Sequence, residues 1–213
     1  MAGGLSVARA RLARMTEQTP PADPKVVLHR YLRVARAALL WKLEGLSEYD
    51  LRRPLTPTAT NLLGLVKHIT GCEIGYFGAT FGRDFPDTPH WALEDDPEPN
   101  IDMWATADES SAEIIDRYRR ACEHADETID ALDLDSIGHV PHWPVPHDRT
   151  TLHTILVHML AETNRHAGHA DIVRELVDGK AGLRPGTNNL PEEDEAWWAA
   201  YRDRVEQAAV AHQ

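Results

Sequence analysis

Residues 151–178 read TLHTILVHMLAETNRHAGHADIVRELVD and form one uninterrupted helical pattern. Apolar and small side chains recur along it at alternating steps of four and three residues, which is typical of a bundle helix with one buried face. The recurring positions are Leu152, Leu156, Met159, Thr163, His166, Ala170, Val173 and Val177. Because His166 belongs to this face, the pattern predicts that its imidazole points into the bundle.

Several groups beside His166 can bind a metal ion, and the helical repeat ranks them. At about 100° per residue, Glu162 lies roughly 40° from His166 around the helix, and His169 roughly 60° from it. Side chains four residues apart can reach one ion, which favours Glu162 and His166 as a chelating pair. His166 with His169 is also an allowed pair. His158 and His166 are about 12 Å apart along the axis, so they cannot both bind the same ion as Glu162. We expect His158 to be the one that does not bind it.

Three more long helices precede this one, and each is predicted from a cap signal and an apolar repeat. They cover about residues 24–47, 61–81 and 106–132, and a short fifth helix is predicted over about residues 191–209. Four long amphipathic helices without a strand signal predict an all-α fold, a four-helix bundle with long loops between helices two and three and between three and four.

The second predicted helix supplies another inward-leaning histidine. His68 lies roughly 60° from Leu65, at the edge of the apolar stripe of that helix. Together with Glu162 and His166 it would complete a set of two imidazoles and one carboxylate, which is found in open metal sites. Cys72 lies one turn after His68, so a site with cysteine in place of the carboxylate stays open. Free cysteines are often buried, and burial in the core is the other interpretation of Cys72.

Composition limits the other possibilities. The chain has 213 residues and a formal net charge of -12, which argues against a nucleic-acid-binding surface. We expect a tail over residues 1–23, a metal-binding bundle over 24–180 and an extension with a helix over 181–213. The two cysteines, on different predicted helices, favour a reducing cytoplasm over a disulfide framework. No segment approaches the roughly 18 consecutive apolar residues of a membrane span.

Three segments carry a resemblance to a known family. They are NLLGLVKHITG from residue 61, GHVPHWP from residue 138 and ILVHMLAETNRHAGHADIVRELVDG from residue 155. Over about residues 24–178 the chain resembles the DinB-like superfamily, specifically its actinobacterial branch related to mycothiol-dependent enzymes. The last segment is the most specific of the three.

The resemblance implies a bundle that holds one divalent metal per chain. Carried over by position, the ligands are His68, Glu162 and His166. A glutamate at this place is similar to the mycothiol-dependent maleylpyruvate isomerase branch, whereas many members have histidine there. His169 falls where many relatives have glutamine, which implies that it lies next to the ligands and is not a ligand itself. Zinc is the first candidate, with nickel or iron as alternatives, and mycothiol is the implied co-substrate.

These expectations lead to one enzymatic hypothesis. A metal-activated thiol attacks an electrophilic small molecule in an S-transferase or isomerase reaction, and His169 takes the thiol proton or orients a ligand. The residues that we expect to bind the substrate are aromatic and basic: Trp143, His142 and Trp91 as a wall, and Arg165 or Arg83 for a carboxylate.

Two alternatives use the same bundle. One is a non-catalytic metal-binding protein that binds a ligand or partner, and the other is a metal-dependent hydrolase. A cluster of Trp197, Trp198 and Tyr201 would either cover the bundle or face a second subunit in a homodimer.

Overall fold

The structure is a computed structural model that describes residues 23–94 and 96–213. Its helices are α1 (Pro24–Trp41), α2 (Glu48–Arg52), α3 (Leu62–Glu73), α4 (Ser111–Ala131), α5 (Leu152–Asp178) and α6 (Glu195–Val210). The four long helices α1, α3, α4 and α5 form the predicted all-α bundle. The predicted tail over residues 1–23 lies outside the described residues, apart from Asp23, which caps α1.

The bundle places α1 against α5 and α3 against α4, and it brings α3 into contact with α5. The apolar face predicted for residues 151–178 is confirmed, since Leu152 to Val173 of that repeat are buried. Two apolar clusters fill the interior, one including Met159 and the other Ala170 of α5. His166 and Thr163 lie between them on the same face, so two polar residues of α5 separate the two apolar layers.

The helix that follows residue 61 changes its geometry part-way. Asn61 caps α3 through its side chain, and the regular helix ends at Glu73. A π-helical turn (Ile74–Gly78) and a 3-10 turn (Ala79–Phe81) then continue the same path, so the predicted helical segment is present but not uniform. π-turns inside helices are frequent at functional sites.

A buried ion pair fixes the end of α3. The guanidinium of Arg36 on α1 donates two hydrogen bonds to the Glu73 carboxylate, at 2.7 and 2.6 Å. Asp126 on α4 accepts a third from Arg36 and another from His29, so one cluster of charges connects α1, α3 and α4. Paired in this way, the buried charges set the position of α3 relative to its neighbours.

The first helix is shorter than predicted. It ends at Trp41, whereas the sequence predicted an end near Ser47. Gly45 takes a left-handed conformation with φ of 75°, which ends the helical path. The hydroxyl of Ser47 then accepts from the Asp50 N–H and caps the separate helix α2.

The start of the third long helix was also predicted wrongly. α4 begins at Ser111 and is capped by Ser110 rather than by Thr106. Thr106 and Glu109 do form a turn, in which the Thr106 N–H donates to the Glu109 carboxylate at 2.8 Å. The same carboxylate pairs with Lys67 of α3 at 2.9 Å, which holds this turn against α3 ahead of the helix.

The loop between α4 and α5 contains two short strands that the sequence did not predict. β1 (Ile137–His139) and β2 (Arg149–Thr151) are antiparallel, with Gly138 opposite Thr150. Strands of three residues are too short to show the two-residue alternation by which strands are recognised. A Cβ on Gly138 would lie 2.6 Å from Thr80 Cγ2, so the two strands pack closely on the 3-10 turn that follows α3.

The extension after α5 is mostly exposed. Gly179 ends α5 in a left-handed conformation. α6 has no buried residue, and Trp197 stacks on Tyr201 with a ring-centroid distance of 5.3 Å. No helix of the described part of the chain is long and apolar enough to cross a membrane.

Candidate metal centre

Three donor atoms from α3 and α5 converge inside the bundle. Glu162 Oε1 lies 3.0 Å from His166 Nε2 and 3.5 Å from His68 Nε2. The three donors all lie within 4.8 Å of one another. The structure therefore brings together the residues that the sequence predicted as metal ligands.

The burial of these side chains leaves one side of the cluster open. His166 is buried on the inner face of α5, whereas Glu162 stands one turn earlier on the flank of that face. The side chains of His68 and Glu162 keep 22% and 27% of their surface exposed. Catalytic metal sites need such an open side for water or substrate.

A carboxylate from the long loop before α4 supports His68. Asp102 lies in a 3-10 turn (Ile101–Met103), and its Oδ2 atom is 2.7 Å from His68 Nδ1. The sequence analysis missed Asp102, because a residue in a proline-rich loop has no helical repeat to place it. Its only signal is an acidic side chain within a loop long enough to cover the site.

The surroundings shift the pKa values of all three clustered residues. Burial opposes protonation of His68, but the hydrogen bond to Asp102 and the neighbouring Cys72 outweigh it and raise the pKa of His68 to about 10. Burial lowers the pKa of His166, and so does the charge of His68. The pKa of Glu162 is lowered despite its burial, because both histidines donate to its carboxylate. At neutral pH Glu162 is thus ionised and His166 is uncharged. Metal ligation through the two Nε2 atoms would require the His166 proton to move to Nδ1 and His68 to lose a proton.

Two further groups lie directly behind the cluster. His169 is exposed, and its Nδ1 atom is 3.4 Å from Nδ1 of His166, on the side of the ring that faces away from Glu162. The Cys72 thiol lies 3.6 Å from His68 Nε2. It is free and half-buried, at the side of the cluster and not in the centre of an apolar layer.

A cavity of about 340 Å³ adjoins His68. Its wall is formed by α3 with the two turns that continue it, by the loop before α4 and by the loop after β1. The polar and aromatic side chains in this wall are His68, Cys72, Tyr76, Thr80, Trp91, Asp102 and His142. Two of the predicted substrate-binding residues, Trp91 and His142, therefore line the space beside the candidate metal centre.

Tyr76 organises the aromatic part of this wall. Its hydroxyl lies 3.2 Å from His142 Nε2 and accepts a hydrogen bond from Trp143 Nε1 at 3.4 Å. The ring of His158 packs against Tyr76 at a centroid distance of 4.6 Å. Tyr76 is not among the site residues predicted from the sequence, because periodicity does not show that the π-turn carries its hydroxyl into a cavity wall.

The two arginines predicted to bind a substrate carboxylate lie elsewhere. Arg83 Nε donates to Thr128 Oγ1 on α4 at 2.9 Å, and Arg83 does not line the cavity. Arg165 is exposed on α5 and does not line it either. The structure thus groups Trp91, His142 and Trp143 near the centre without either arginine.

Comparison with known families agrees with this arrangement. A family model described as Mycothiol-S-transferase matches residues 27–179 of the chain. This chain belongs to the mycothiol-S-transferase family. The match confirms the resemblance inferred from the three sequence segments. No curated protein matches the chain at a significant level.

The extent of the match separates the bundle from the extension. The mycothiol-S-transferase region begins within α1 and ends one residue after α5. It includes His68, Asp102, Glu162 and His166, together with every residue that lines the cavity. α6 lies outside this region, so the family resemblance concerns the bundle and its loops.

Proposed function

We propose that this mycothiol-S-transferase family member joins the thiol of mycothiol to an electrophilic small molecule at a metal centre formed by His68, Glu162 and His166. One observation carries the proposal: three ligand-type atoms converge beside a cavity of about 340 Å³ in a chain of this family. The cavity falls within the size range of small-molecule sites.

The donor set fits a divalent metal. Zinc–nitrogen and zinc–oxygen bonds of about 2.0–2.2 Å in a tetrahedral site place neighbouring donors about 3.3–3.6 Å apart. The separations of Glu162 Oε1 from the two imidazole nitrogens, 3.0 and 3.5 Å, are close to that range. Two imidazoles and a carboxylate suit zinc first, with nickel or iron as alternatives. The bound metal would lower the pKa of a thiol in its open position.

The residues of the cavity wall would bind the reactants and exclude water. Trp91 covers the α3 side so closely that a Cβ on Gly71 would lie 2.9 Å from its ring. Tyr76 lines the cavity with the Trp143 ring packed against it, and His142 is exposed at the edge. In this proposal the thiol sulfur forms a bond to carbon, the leaving group departs with its electron pair, and His142 passes the thiol proton to solvent.

His169 has a different part in this proposal. Its Nδ1 atom faces His166 and not the cavity. We therefore assign it to orienting the imidazole of His166, in preference to the alternative that it accepts the thiol proton. Isomerisation would follow the same first step, with the thiol added to the substrate and then released.

The test is a conjugation assay with mycothiol and monobromobimane, in which a C–S bond forms and bromide leaves. We expect the wild-type protein to accelerate fluorescent conjugate formation, a chelator to remove the acceleration and zinc to restore it. His166→Ala should lose it. His153→Ala, an exposed change on the same helix, should keep it.

The outcomes separate the function classes. If the metal-loaded protein does not accelerate conjugation of any tested thiol, the transferase proposal is rejected. Metal-dependent cleavage of an activated ester would then favour a hydrolase, and tight binding of a ligand without turnover would favour a non-catalytic protein. Assays with mycothiol, cysteine and glutathione side by side identify the thiol, and mycothiol as the best substrate would favour action in a reducing cytoplasm.

A further inference from the structure

Asp102 reaches the candidate metal centre from a loop, and α3 holds that loop in place. We infer that α3 fixes the backbone on the C-terminal side of Asp102 so that its carboxylate sets the tautomer and ring orientation of His68. Asp102 is then a positioning residue for the metal centre. The inference rests on the proposed function, because it takes His68 as a ligand.

Polar side chains of α3 bind the two carbonyls that follow Asp102. The side-chain amide of Asn61 donates to the Met103 carbonyl at 3.1 Å. Lys67 Nζ donates to the Trp104 carbonyl at 3.0 Å. Lys67 is only 3% exposed, and a buried ammonium group requires such partners. Two consecutive peptide groups of the loop are therefore held on α3.

A close backbone approach completes this attachment. Gly64 lies between the two polar side chains on the same face of α3, and a Cβ on it would lie 1.8 Å from the Met103 carbonyl oxygen. The loop backbone thus rests directly on the helix where no side chain can fit. The carboxylate of Asp102, the preceding residue, meets His68 one turn further along α3.

This attachment determines which nitrogen of His68 faces the cluster. Asp102 Oδ2 accepts from His68 Nδ1 at 2.7 Å, which leaves Nε2 directed toward Glu162 Oε1 at 3.5 Å. A carboxylate behind a metal-binding histidine fixes its tautomer and increases its basicity, and losing such a partner weakens metal binding by about 10–100-fold. Removing Asp102 should therefore weaken the site although His68 remains.

The experiment measures zinc affinity by competition with a chromophoric chelator. Asp102→Leu should bind zinc about 100-fold more weakly than the wild type, and Asp102→Asn about 10-fold more weakly, because the amide oxygen still accepts from Nδ1 but carries no charge. Asp108→Asn, an exposed change that follows the same turn, should keep wild-type affinity. The visible spectrum of the cobalt-loaded protein should shift in the Asp102 variants and not in Asp108→Asn.

Thermal unfolding of the metal-free proteins checks that each variant folds. If Asp102→Leu does not fold, the isosteric Asp102→Asn decides the question. Zinc affinity within twofold of the wild type and an unchanged cobalt spectrum in the folded variant would overturn the positioning role. A wild-type protein that binds no zinc would instead reject the proposed metal centre, and this inference with it.

Discussion

Glu162 holds the central place among the donor atoms. One oxygen of its carboxylate faces both imidazoles, at 3.0 Å from His166 and 3.5 Å from His68. His166 donates a hydrogen bond to this oxygen and His68 lies within ion-pair distance of it, so contacts within the protein hold the three side chains together. Such a preorganised set of donor atoms suits an ion-binding site.

Replacing His166 should remove the metal. We expect close to one metal ion per chain in the wild type and almost none in His166→Ala, because the variant loses the buried member of the donor set. Elemental analysis of protein purified without chelators or metal-affinity steps measures this.

His158→Ala is the matched control for that change. His158 lies on the same helix but packs against Tyr76 and Trp143 and not in the donor cluster, so its replacement should leave the metal content unchanged. Full occupancy in Glu162→Ala, together with loss in His158→Ala, would show that a different pair on α5 binds the ion.

The sequence carried enough information to place some of these residues and not others. The helical repeat orders Glu162 and His166 on α5 and puts His68 on an inward edge of α3, and the structure brings their donor atoms together. Their role as ligands stays a prediction. Asp102 and the hydroxyl of Tyr76 depend on a loop path and a π-turn, and neither of these has a periodic pattern.

Among the elements, α3 combines two tasks. Its N-terminal half binds the loop before α4 through Asn61, Gly64 and Lys67. Its irregular continuation forms the cavity wall. The same element therefore sets the positions of His68, of the loop that carries Asp102 and of one wall of the cavity.

Gly64→Ala should destabilise the protein. The added methyl group would overlap the Met103 carbonyl, and relief of such overpacking typically costs about 1–3 kcal/mol in the free energy of unfolding. Chemical denaturation of the metal-free protein, monitored by circular dichroism, measures the change.

Gly168→Ala on α5 is the matched control. A Cβ at this position meets no atom within 4 Å, and alanine is favoured over glycine within a helix by about 1 kcal/mol. We expect this variant to be more stable than the wild type. Equal effects of the two substitutions would argue against the close contact between α3 and the loop.

The limits of sequence analysis at this scale are the ends of the elements. The long helices follow from apolar repeats that extend over several turns, and they are present. The error near Ser47 arose because a left-handed Gly45 separates α1 from the helix that Ser47 caps. The error near Thr106 arose because Ser110 caps the helix instead, and tertiary contacts hold the Thr106 turn ahead of it. Lys67, for example, draws the Glu109 carboxylate to α3.

For the whole molecule, we expect the end of the chain to contribute little to stability. Removal of residues 190–213 should shift the melting temperature by less than about 2 °C, because these residues include no buried side chain. Differential scanning calorimetry measures the shift. A large decrease in the melting temperature would show that α6 covers the bundle. A change from the mass of a dimer to that of a monomer by light scattering would show that α6 contacts a second subunit.

A longer truncation should behave differently. Ending the chain at Gly179 removes the Gly182 carbonyl that accepts from Lys42 Nζ. Lys42 is fully buried and would keep its ion pair with Asp171 and its contact with the Trp41 ring. Loss of a partner for a buried polar group costs about 1–3 kcal/mol, so this variant should melt measurably below the shorter truncation.

The composition of the cavity wall has a consequence for substrate choice. None of the residues that line the cavity in the described part of the chain is lysine or arginine, and Asp102 contributes a carboxylate. The two positive charges of a divalent ion would be balanced by Glu162 and Asp102, in a protein whose net charge is -12. With the ion balanced in this way and its imidazole ligands uncharged, no cationic side chain of the wall would compensate an anionic molecule. The site should therefore discriminate by charge, admitting neutral electrophiles in preference to carboxylates and phosphates of the same size.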